Sequence, residues 1–72
     1  MFLVVELQTN NGQMAHIATA YETRGQAESK FHQILAAAAV SEVPVHAAVI
    51  IDDHGLLLGS GTYVHPEEVE PE

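Results

Sequence analysis

The 72 residues leave room for one domain, and the absence of cysteine excludes a disulfide framework. Ten acids against Arg24 and Lys30 give a net charge of −8, which excludes the clustered basic surface that direct nucleic-acid binding requires. Hydrophobic residues make up 47% of the chain, yet no apolar run approaches the ~20 residues of a membrane span, so no membrane partner is expected and the chain reads as cytoplasmic.

Phe2 to Thr9 is rich in Val and Leu, as a strand should be. It carries no basic leader region and meets Glu6 early, unlike a signal peptide. Asn10-Asn11-Gly12 marks a turn, after which Gln13 to Glu22 returns as a second strand. Two registers are open. A two-residue Asn11-Gly12 turn pairs Leu7 with His16, whereas a three-residue loop pairs Leu7 with Ala15 and Glu6 with His16. The three-residue loop is the expected one, because it gathers Leu3, Val5, Leu7, Ile17 and Tyr21 on one face.

Thr23 to Ser41 has the clearest helical period in the chain. Ala27, Phe31, Ile34, Leu35 and Ala38 recur at the spacing of one apolar stripe. Thr23 with Gln26 has the form of a capping box, and Glu28 adds negative charge towards the positive end of the helix. Pro44 closes the segment. Val43 to Ile51 then reads as a third strand, Asp53-His54-Gly55 as a second turn of the same kind, and Leu56 to Val64 as the fourth strand. Gly59 and Gly61 share a face and would let the alanine end of the helix come close.

The expected architecture is therefore α+β, in the order β-β-α-β-β. It is a four-stranded antiparallel sheet of order 2-1-3-4 with one helix on one face. The domain spans residues 1–64. From His65 onward the acidic run HPEEVEPE has no hydrophobic period and reads as a disordered tail over 65–72.

Strands one and three are apolar on both faces, and one helix covers one face. With Phe31, Ile34, Leu35, Leu3, Val5, Leu7 and Ile17 assigned to the core, the opposite face becomes the expected interaction surface: Phe2, Val4, Glu6, His16, His46, Ala48 and Ile50. A homodimer packed sheet to sheet, or a protein partner on that surface, follows.

Catalytic chemistry is not expected. Five histidines invite a metal, and the expected register brings Glu6, His16 and His46 together, but none has H-x3-H spacing and no cysteine is present. Solvated or interface histidines are the better reading, with no metal or cofactor. In Asp52-Asp53-His54-Gly55 the Asp and Gly are what a turn requires for backbone reasons alone. Ser60 between Gly59 and Gly61 is only a fragment of a nucleophile elbow, and Gly25 stands alone ahead of the helix.

The runs MFLVVELQT, TAYETRGQAESKFHQILAAAAVS and PVHAAVI, followed by a Glu/Pro tail, resemble small proteins encoded in prophages of gut bacteria. The likeness covers most of the chain and rests on no motif with chemistry. It implies a phage context, including association with a virion, and no activity or site residues. Two roles follow: a self-associating structural or accessory protein, or an acidic inhibitor that binds a host nucleic-acid-handling protein by charge mimicry. Four of the ten acids sit in the last six residues, so the mild charge of the remainder favours the first.

Overall fold

The structure is a computed structural model and describes residues 1–65. It contains β1 (Phe2–Asn10), β2 (Gln13–Tyr21), α1 (Arg24–Ala39), β3 (Val45–Asp52) and β4 (Leu57–Val64). The strands form one sheet in the order β2-β1-β3-β4, and every neighbour is antiparallel. The α+β class, the element order and the strand order are those expected from the sequence. The tail beyond His65 lies outside the described residues. His65 itself is tied to the domain: its backbone N–H donates to Pro44 O at 2.7 Å, and its Nε2 lies 2.8 Å from Ala38 O.

Thr23 starts α1 as its cap, with Oγ1 accepting the Gln26 N–H at 3.2 Å. Glu28 falls beyond the first turn, where it pairs with Arg24 four residues back at 2.8 Å. The expected stripe is the buried one. Ala27, Phe31, Ile34 and Ala38 are buried, and Leu35 packs beside them.

Two expectations about the sheet are overturned. Leu7 pairs with His16 and Glu6 with Ile17, so the first hairpin turns in two residues. Asn11 (φ 56°) and Gly12 (φ 79°) are both left-handed, the condition for a type I′ turn, whose twist matches that of the strands it joins. The three-residue loop occurs instead in the second hairpin. There Gly55 N donates to Asp52 O, Asp52 N donates to Leu56 O, and Gly55 is left-handed at φ 84°.

The second correction concerns the faces. The helix covers Phe2, Val4, Ala48 and Ile50, and leaves Leu3, Val5 and Leu7 on the open side. Ile17 is on the helix side but on the edge strand, beyond the reach of α1, and stays 59% exposed. The physical reason lies in β4. Gly61 pairs with Ala48 and Gly59 with Ile50, which makes a shallow trough of small residues on that face. A Cβ built on Gly61 would stand 2.8 Å from Leu35 Cδ1, and one on Gly59 would stand 3.6 Å from the Phe31 ring. The larger helix side chains are seated where strand side chains are missing.

Candidate functional site

The surface expected to bind a partner is largely the core. Val4, His46, Ala48 and Ile50 are buried, Phe2 packs against them, and Glu6 lies at the same face's margin. His16 is separated from this set by the two-residue turn, which places it opposite Leu7 on the open face. The set Glu6, His16 and His46 therefore does not converge.

Glu6 and His46 do meet. Glu6 is on β1, two residues from Gln8, and Gln8 is paired with His46 on β3. One carboxylate oxygen, Oε2, lies 2.7 Å from His46 Nε2 and 2.9 Å from the Gln8 amide nitrogen that donates to it. Burial raises the Glu6 carboxyl. The hydrogen bonds from His46 and Gln8, with the charges of His46 and Lys30, outweigh that effect and hold it below its ordinary value of 4.5. His46 Nδ1 is buried with no partner. The pair accounts for a polar group inside a small core, with His46 Nε2 and Glu6 Oε2 occupied with each other.

The open face is formed by the alternate residues. Across the sheet, Ala18, Val5, Val49 and Ser60 stand in one row, with Ala20, Leu3, Ile51 and Leu57 in the next. On the other side of the first row stand His16, Leu7, Ala47 and Thr62. Leu3, Val5, Leu7, Ala47, Val49 and Ile51 are half-buried by one another, and among the described residues no segment lies over them. His16 is the one ionisable side chain in these rows. The sequence signal that identifies the right face is the Gly59–Gly61 spacing. Through the pairing with Ala48 and Ile50, it marks where the helix must sit.

At the β3–β4 turn, ligand-type atoms of Asp52, Asp53 and His54 lie within 4.8 Å of one another. Asp52 Oδ1 accepts the His54 and Leu56 backbone N–H groups, both at 2.9 Å. Leu56 makes the larger contribution to holding its carboxyl below the ordinary value, burial opposes it, and His54 adds to the lowering. These bonds build the turn, as the sequence predicts for Asp in such a position. Among the described residues no helix is long and apolar enough to cross a membrane. No family model, curated protein or solved structure matches the chain.

Proposed function

We propose that the protein is a small non-enzymatic binding protein of structural or accessory type, which associates with a second copy of itself through the helix-free face of the sheet. The observation that carries this reading is the apolar set Leu3, Val5, Leu7, Ala47, Val49 and Ile51, which no described segment covers. Burying such a surface returns ~25 cal/mol per Å², and most closed assemblies of identical chains are two-fold. Among the described residues the rows of this face hold no carboxylate, so these residues place no negative charge between two such faces. The sequence resemblance to prophage-encoded proteins is the ground for setting this role in a phage context.

The test is sedimentation over a concentration series, with the parent compared with Val49→Glu. Val49 lies at the middle of the open face, between Val5 and Ser60, so a carboxylate there interrupts the contact without entering the helix side. The parent is expected to associate, and Val49→Glu to stay folded and lose the association made through this face. A Val49→Glu protein that associates as the parent does removes the face from the reading.

A further inference from the structure

We propose that the outer edge of β2 is a self-complementary docking strand: two copies pair their β2 strands antiparallel about a two-fold axis at Ile17, joining their sheets into one. This goes beyond contact through the apolar face. It rests on backbone groups at the edge of the sheet, and stands or falls separately.

The turn fixes which backbone groups are free. In a two-residue hairpin the residues flanking the loop, here Asn10 and Gln13, exchange hydrogen bonds, and bonded and non-bonded pairs then alternate along the ladder. Gln13, Ala15, Ile17, Thr19 and Tyr21 therefore direct their N–H and C=O groups to β1. Met14, His16, Ala18 and Ala20 direct theirs outward, where β2 has no neighbour in the sheet. A row of this kind is a template for another strand, and proteins usually blunt it with Lys, Pro, a bulge or a cover. Among the described residues β2 has none of these. Its sequence QMAHIATAY lacks charge and proline, its pairing with β1 runs unbroken from Asn10↔Gln13 to Phe2↔Tyr21, and its residues are exposed up to Ala20. β4, the opposite edge, differs: it carries the register shift at Ile50/Ile51 and two glycines.

The free groups are arranged symmetrically about Ile17, which is why the occupant is a second copy. With Ile17 on the axis, Met14 pairs with the partner's Ala20 and His16 with the partner's Ala18, so every outward group between Met14 and Ala20 is used. The neighbouring in-phase registers leave Ala20 opposite Gly12, or Met14 opposite Glu22, at the ends of the strand. The same axis brings together two Ile17 side chains, each 59% exposed on the helix side of the sheet. The helix does not obstruct the approach, because the β2 residues from Gln13 to Ala20 are all exposed.

The absence of cysteine in the parent makes crosslinking a direct test. At the axis Ile17 faces its own copy in a non-hydrogen-bonded pair, where Cα atoms lie about 4.5 Å apart, within the range of about 4.4–6.8 Å that a disulfide accepts. Ile17→Cys is expected to form a covalent dimer under mild oxidation. Thr19→Cys, which faces the partner's Ala15, should crosslink poorly alone and well when mixed with Ala15→Cys. The expected advantage of Ile17→Cys over Thr19→Cys is at least about tenfold in rate, because pairing holds the thiols at a high effective concentration. Ala18→Pro removes an outward N–H without breaking the ladder to β1, and should abolish association through this edge. Val49→Glu should leave the Ile17→Cys crosslink intact. Equal rates for Ile17→Cys and Thr19→Cys alone, or no crosslink for Ile17→Cys, overturn the proposal. Slow crosslinking with β2 occupied by a strand of a different protein overturns it equally.

Discussion

Glu6 Oε2 lies 2.7 Å from His46 Nε2 at the margin of a core that holds His46 at 5% exposure. The strands bring the two together from positions 40 residues apart in the chain. With the proton on Nε2, the ring donates to the carboxylate and leaves Nδ1 as a bare acceptor, which is the buried atom without a partner. The arrangement holds the carboxyl below its ordinary value although burial pushes it up.

Acid stability follows with a definite sign. The folded Glu6 carboxyl is held below 4.5, so in the acid range the unfolded chain binds a proton that the folded chain does not. Its contribution is complete above the unfolded value near 4.5 and is lost as pH falls through the lower folded value. Asp52, also lowered, acts in the same direction from its ordinary 3.8. Urea titrations from pH 7 to pH 3 should show stability falling below about pH 4.5, and Glu6→Gln should flatten the decline. A parent profile flat across that window would contradict the depressed carboxyl.

Breaking the pair should cost more than replacing it. His46→Ala leaves the Glu6 carboxylate without its charge-assisted partner and is expected to lose about 2–3 kcal/mol. Replacing both with leucine removes the buried charge altogether, and should be neutral or stabilising by ~1 kcal/mol relative to the parent. Chemical denaturation of the two variants decides the matter. A double variant as unstable as His46→Ala would mean that the polar pair itself stabilises the fold.

The elements, their order and the sheet topology were legible in the sequence because hydrophobic period, turn residues and cap signals agreed. Thr23, the Ala27–Ala38 stripe and the two glycine turns all lie where expected. The face assignment was not legible from hydrophobicity, since β1 and β3 carry apolar residues on both sides. Glu6 and His46 obscure the assignment further, because two polar residues on one face ordinarily mark it as solvated. What distinguishes the faces is volume. The Gly59–Gly61 trough admits Phe31 and Leu35. In the first hairpin the type I′ signal of Asn11-Gly12 sets the register and outweighs the hydrophobic grouping of Leu3 with Ile17.

That turn has a measurable strength. Gly12 sits at φ 79° with open space around its Cα, so Gly12→Ala meets no clash and its cost is purely conformational. The expected loss is about 1–2 kcal/mol. Asn11→Gly should be close to neutral, because glycine adopts a left-handed conformation as readily as Asn. Equal and negligible effects at both positions would argue that the loop adopts a different form in solution.

The trough makes the sharpest prediction about which face the helix covers. A Cβ on Gly61 would lie 2.8 Å and 2.9 Å from the two terminal carbons of Leu35. Those carbons end a flexible side chain, so Gly61→Ala forces Leu35 to move and leaves the backbone in place. Gly61→Val adds bulk that such a movement cannot absorb, and is expected to cost about 1–3 kcal/mol through overpacking. Leu35→Ala alone should cost about 2–3 kcal/mol, near the low end for a leucine that is only partly buried. In the double variant the valine occupies volume that the leucine vacated, so the two losses should fall short of additive by at least about 1 kcal/mol. Urea unfolding of the parent, both single variants and the double variant closes the cycle. Additive losses would mean that Leu35 and Gly61 do not touch, and the helix would then have to lie against Leu3, Val5 and Leu7 instead.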